Sequence, residues 1–245
     1  AKSSSPESTG TAAPISRTFS LRHRLASQMQ EDLRPIVLNR GDVEVLPSSD
    51  NQQLVIKGPA ALVDRVATFI AVTDWPEPLK NAATGEYLTN SVLHSARSFF
   101  HACAVEESPP TFSKLLSPHV LAALKGDAKS ERYENYQMGG VPDAQWEGSL
   151  RADWPGKDEA IRKFVASWNR YPLKRITEDP GIAMGFGVKH FCSVSFDGAP
   201  KEFYRVTIEP SRSKPRTSDD TTYYFSSMPP WRDAKEAESA QSDPK

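Results

Sequence analysis

The stretch Gln53-Leu54-Val55-Ile56-Lys57-Gly58-Pro59-Ala60-Ala61-Leu62-Val63-Asp64-Arg65-Val66 changes its hydrophobic period midway. Leu54 and Ile56 share one face of a strand and Val55 takes the other, a period of two. Gly58-Pro59 breaks the chain, and Pro59 suits the first turn of a helix because its missing N–H would be unbonded there anyway. Leu62, Val63, Val66, Phe69 and Ile70 then make a helical apolar stripe. A strand running straight into a helix is half of a small α+β unit, and the residues upstream supply the other half.

Upstream, Pro47-Ser48-Ser49-Asp50-Asn51 has the composition of a hairpin loop, and Val43 and Val45 line one face of the strand before it. Asn39-Arg40-Gly41-Asp42 reads as a turn. Leu25, Met29 and Leu33 recur every four residues with Ile36 continuing the stripe, which predicts a helix ended or bent by Pro35. Before it, Phe19 and Leu21 share one face of a short strand. The predicted order is strand, helix, strand, strand, helix, with two helices on one face of a three-stranded sheet. The other face and the edge strands stay open, and an open edge invites a partner strand or helix.

These residues resemble a known family. Phe19-Ser20-Leu21-Arg22-His23, the Leu25/Met29/Leu33 helix, Arg34-Pro35, Val43-Glu44-Val45, Leu54-Val55-Ile56-Lys57-Gly58 and Thr73-Asp74-Trp75-Pro76 are similar, in order, to the short N-terminal modules of bacterial secretins. The resemblance spans residues 17–78. It implies a module that stacks into periplasmic rings in secretion and pilus machines. Gln52 departs from the family's usual Asn at that position. Long alternating strands of the outer-membrane pore type are missing from the remaining sequence, so the resemblance implies an accessory or borrowed module and not the secretin itself.

Around this module, residues 1–16 are Ser, Thr, Ala, Pro and Gly with few apolar side chains, and are expected to form a disordered tether. The chain begins at Ala1 without Met, which suggests a processed or trimmed product. The tether has the style of a mature exported lipoprotein, without its lipidated Cys, and is a candidate membrane anchor. Residues 79–86 are expected to be a linker, 87–232 a second domain and 233–245 a polar tail. Across the 245 residues, 30 Lys and Arg balance 31 Asp and Glu, which gives no general pull towards nucleic acid or anionic membrane. No apolar run approaches the roughly 18–20 residues that cross a bilayer.

The second half predicts helices first and then strands. Leu88, Val92, Ala96, Phe99 and Phe100 mark a helix over 87–106 that Pro109-Pro110 ends. Phe112 to Leu124 mark another, interrupted near Pro118 and closed by Gly126. Residues 127–145 are poorly patterned, and Trp146–Trp154 is expected to be a strand. Asp158 is a candidate N-cap for a helix carrying Ile161, Phe164, Val165 and Trp168. Ile182–Phe186, Val188–Phe196, Glu202–Glu209 and Thr221–Ser227 are expected strands, with Asp197-Gly198 as a hairpin turn. The segment from Trp154 to Phe164 resembles the start of the third helix in the nuclear transport factor two and ketosteroid-isomerase superfamily. That resemblance implies a cone-like sheet wrapped on a helix, often with an apolar pocket. The fold class is therefore α+β throughout.

A pocket of that kind would be lined by Trp168, Phe186 and Phe191, with His94 or His190 as its ionisable group. His94 and His101 share a helix face, and His190 and Cys192 share a strand face. Their spacings match no compact zinc signature, and Asp153 and Asp179 sit in turn-like sequence. Gly185-Phe186-Gly187 reads as a strand kink. The expectation is no catalytic set, no metal and no cofactor. Cys103 and Cys192, the only cysteines, are read as buried thiols, with a bridge between them as the alternative. The function expected is a non-enzymatic, extracytoplasmic assembly or interaction protein, periplasmic with the N-terminal tether as a candidate lipid anchor, whose partners are proteins or further copies of itself. The alternatives are a small-molecule-binding protein or enzyme using a pocket in 87–232, and a fusion whose second domain only dimerises.

Overall fold

The computed structural model describes residues 13–37, 43–138, 143–179, 182–184, 187–211 and 221–231. Contacts divide the chain into two units, one of residues 1–67 with 74–76 and one of residues 68–73 with 77–245. The turn at 39–42, the kink residues Gly185 and Phe186, the tail 233–245 and most of the expected tether lie outside the described residues.

The first unit has the predicted order: β1 (Ile15–Ser20), α1 (Ala26–Val37), β2 (Glu44–Pro47), β3 (Gln53–Gly58) and α2 (Ala60–Thr73), whose residues from Thr68 onward belong to the second unit. The sheet order is β1-β3-β2, antiparallel throughout. Ile15 and Ser16, expected in the tether, begin β1 because they pair with Gly58 and Lys57. Arg17 and Phe19 stand opposite Ile56 and Leu54, so they share the helix-covered face. Leu54, Ile56, Met29, Leu33, Val63 and Val66 are fully buried. Leu25 does not belong to the α1 stripe. It precedes the helix and is half exposed, and Ala26, Met29, Leu33 and Ile36 form the buried face. A strict four-residue repeat drifts off a 3.6-residue turn, so the first position falls to Ala26. Pro35 does not end α1, which runs two residues further. So near the C-terminus the proline removes only the bond to the Glu31 carbonyl.

The second unit places helices before strands. They are α3 (Val92–Ala104), α4 (Pro109–Leu115), α5 (Pro118–Lys125), α6 (Glu131–Gln137), α7 (Ala144–Arg151) and α8 (Lys157–Trp168). Among the described residues five strands follow: β4 (Leu173–Glu178), β5 (Ile182–Met184), β6 (Gly187–Phe196), β7 (Tyr204–Pro210) and β8 (Tyr223–Phe225). Their order is β4-β6-β7-β8, antiparallel, with β5 also paired to β6. The α+β class is as the sequence predicts. Asp197-Gly198 turns between β6 and β7, with Gly198 at a φ of 74°.

Several boundaries moved. Residues 146–151 are helical and not a strand: Trp146 and Leu150 lie one turn apart, both buried, and Asp143 caps the start by accepting from the Gln145 N–H. Residues 131–137, read as unpatterned, form α6 behind the N-cap Ser130, with Tyr133 and Tyr136 buried. Pro109-Pro110 opens α4 and does not merely end α3, since the first helical turn needs no donor. Gly156, at a φ of 80°, caps α8, and Asp158 sits within the first turn, where a carboxylate favours the positive helix end. α3 starts at Val92 because Ser91 accepts from the His94 N–H. Leu88 therefore falls in the preceding segment, where its N–H bonds the Leu79 carbonyl. The expected linker is ordered: Lys80 bridges Tyr87, and the Gly85 and Asn81 N–H groups bond Asn81 and Glu86. β4 was missed because Lys174 and Arg175 interrupt its apolar pattern.

Candidate interaction surface

In the first unit the turns are fixed by polar side chains. The Asp74 carboxylate accepts the backbone N–H groups of Arg22, His23 and Arg24 at 2.7, 2.9 and 3.0 Å. It gathers three donors of the turn between β1 and α1, and the His23 ring stacks on Trp75, with centroids 6.2 Å apart. Asn51 takes a φ of 58°, which Asn tolerates better than most residues. Its carbonyl accepts from the Ala26 N–H at 2.9 Å and its side-chain oxygen from the Ser27 N–H at 2.8 Å, so the β2–β3 hairpin caps α1. Gln52, the departure from the secretin pattern, contributes its backbone carbonyl to the Leu21 N–H at 2.8 Å. Arg17 pairs with Asp64 of α2 at 3.5 Å. Asp50 has its carboxyl pKa lowered, first by the Ser48 hydroxyl. A groove of about 690 Å³ runs beside α1, lined by His23, Gln28, Glu31, Asp32 and Trp75 among others.

The face away from the helices carries Thr18, Leu46, Val55 and the ion pair Lys57–Glu44 at 3.3 Å. Leu46 is 45% exposed. The two edges of this sheet are unequal. On β2, the Val45 carbonyl accepts from the Gln30 amide at 2.9 Å, and Pro47 has no N–H to offer. On β1, Ser16, Thr18 and Ser20 are exposed, and among the described residues β1 has a strand neighbour on one side only.

The second unit does not gather the sequence-chosen pocket residues. Trp168 is buried in an aromatic core with Phe99, Phe100, Phe196, Phe225 and Trp231, at centroid distances of 5.3–6.2 Å. Its indole N–H has no hydrogen-bond partner among the described residues. Phe191 lies on the opposite sheet face, one residue from core-facing Cys192, with the Arg205 guanidinium 5.2 Å from its ring. Phe186 lies outside the described residues. His190 meets Tyr223 edge-on at 5.5 Å. His94 bonds the Ser91 hydroxyl at 3.0 Å, and its pKa is lowered by burial and by Arg97. Asp179 accepts from Ser193 and pairs with Arg205, and Cys103 and Cys192 are buried and unbonded to each other. Burial pushes the Cys192 thiol up to about 12 and the Cys103 thiol higher than normal.

Two polar clusters in this unit escaped sequence reading. Arg97 is fully buried and donates to the Val72 and Glu77 carbonyls at 3.1 and 3.2 Å. The second joins Lys80, Tyr87, His101 and Glu107. Tyr87 donates its hydroxyl proton to Glu107 at 3.2 Å, so the 2.8 Å contact with His101 is met by the imidazole donating from Nδ1. Lys80 bonds Glu107 at 3.0 Å and lies 4.3 Å from the Tyr87 ring centroid. Burial, helped by Lys80, lowers the His101 pKa to about 4, and burial with Glu107 raises that of Tyr87. Burial works against ionisation of Glu107, but Lys80 together with Tyr87 and His101 outweighs it and holds that carboxyl below its usual range. Only the spacing of His101 on the α3 face hinted at this group; Lys80 comes from the segment read as linker, and Tyr87 and Glu107 from the two borders of the segment read as helix.

Comparison of the chain with curated proteins and with solved structures finds no match in either. The β-α-β-β-α module, by contrast, is matched: residues 16–79 fit the family model Secretin_N, the bacterial type II/III secretion system short domain, as the resemblance over 17–78 implied.

Proposed function

We propose that the protein is a non-enzymatic assembly or interaction component of a bacterial envelope secretion system, acting on the periplasmic side through its secretin short domain. One observation carries this reading: the matched module covers its sheet with helices on one face and leaves Leu46 and Val55 on the other. An apolar patch on a domain of a secretion-system family is suited to packing against another module of the machine. No helix among the described residues is long and apolar enough to cross a membrane. The second unit, with Trp168 enclosed by aromatic rings and Phe191 on the far sheet face, acts in this reading as a folded body attached to the module.

The test is retention of the periplasmic modules of the host's secretin by the immobilised full chain. Retention by the wild type, weakened by Leu46→Glu and by Val55→Glu, is expected. Equal retention by wild type and both variants would assign the contact elsewhere, and no retention would sink the reading.

A further inference from the structure

Register and backbone bonding show which edge of the first sheet is open. The Leu21 N–H bonds the Gln52 carbonyl, so Leu21 turns its backbone groups towards the β3 side and stands at a hydrogen-bonded position of the ladder. Hydrogen-bonded and non-bonded pairs alternate along an antiparallel ladder. Phe19–Leu54, Arg17–Ile56 and Ile15–Gly58 are therefore bonded pairs, and Ser16, Thr18 and Ser20 aim their N–H and C=O groups away from β3. On the other edge the Ser48 N–H bonds the Gln53 carbonyl, so the same alternation leaves Val45 and Pro47 facing outward. Pro47 has no donor, and the Val45 carbonyl is already occupied by Gln30. Edge strands are commonly blunted in such ways. The β2 edge is thus guarded, whereas β1 offers a complete set of outward groups on small hydroxyl residues, with neither proline nor charge among them.

We propose that β1 pairs antiparallel with β1 of a second copy of this chain, about a two-fold axis at Thr18. This deepens the interaction reading and rests on it for the role of the module.

The outward residues are self-complementary about that point. Thr18 meets Thr18 of the other copy, and Ser16 meets Ser20 in both directions, each as a hydrogen-bonded pair. On the helix-covered face Arg17 meets Phe19, and Ile15 meets Leu21. Arg17 is the only charge in Ile15–Leu21 and already lies 3.5 Å from Asp64, so each copy brings a neutralised pair to the seam and no like charges oppose. Because the contact is isologous, it closes at two copies and makes a continuous six-stranded sheet. It leaves the Leu46 and Val55 patch free for a different partner. A contact built on one strand pair belongs with small interfaces, so the dimer should dissociate on dilution.

Sedimentation velocity of the full chain, with disulfide trapping, tests this. Expected are a concentration-dependent dimer for the wild type and a monomer for Thr18→Pro with an unchanged thermal melt, since that N–H bonds nothing among the described residues. Under mild oxidation Thr18→Cys should become a covalent dimer, because facing residues of a bonded pair lie about 5.5 Å apart. Ser16→Cys should not, because its counterpart lies four residues along the strands, about 13 Å away. The buried Cys103 and Cys192 give no background. A wild-type monomer at all concentrations, a folded Thr18→Pro dimer, or Ser16→Cys trapping as fast as Thr18→Cys would each overturn the pairing. A monomer that still retains the secretin modules would overturn the pairing and leave the interaction reading standing, whereas a dimer that retains none would do the reverse.

Discussion

Asp74 holds three backbone donors at once, and its carboxylate is their common acceptor. Replacing it by Ala leaves the Arg22–Arg24 turn without that acceptor and should cost about 2 kcal/mol in urea unfolding, with Asp74→Asn intermediate. The sequence displayed Asp74 as part of the stretch ending the module. It could not display the partners, which lie about fifty positions upstream. His101 gives a pH-dependent counterpart. Its folded pKa of about 4 lies below the ordinary 6.5, so between those values the unfolded chain takes up a proton that the native chain refuses. Stability is therefore full above pH 6.5 and falls as pH drops towards 4, by about 3 kcal/mol from this group. Unfolding free energies across that range should show a shallower slope for His101→Gln than for the wild type. An identical slope would assign the acid sensitivity to other groups.

At the scale of elements, capping residues decided what periodicity left open. The helix ends at Gly126 were legible because glycine at a stripe's end signals a left-handed cap. The start of α7 was not, because the short segment 144–151 carries its apolar signal in two residues, Trp146 and Leu150. Two glycines make the contrast measurable. Gly126 caps α5 at a φ of 81°, so Gly126→Ala should destabilise by about 1 kcal/mol. Gly148 lies inside α7, and an added Cβ would meet nothing within 4 Å. Gly148→Ala should therefore stabilise by about 0.5–1 kcal/mol. Thermal melts of the two variants should move in opposite directions.

For the whole molecule, the two thiols report on how the chain is enclosed. Cys103 and Cys192 lie in one core on α3 and β6, free and fully buried. A thiol reagent should find neither in the native protein and both after denaturation without reductant, and a bridge would show as none in either state. By itself the sequence determined the β-α-β-β-α order, the α+β class and the kinship of residues 17–78. Those follow from the local period of apolar residues, which a chain carries before it folds. Only the tertiary structure decided that, among the described residues, β1 and not β2 is the open edge. Pairing register sets the direction of each backbone group, and the Gln30 amide that occupies Val45 comes from another element. It likewise separated Trp168 from Phe191, because the two lie on opposite sides of a sheet whose pairing no local pattern specifies.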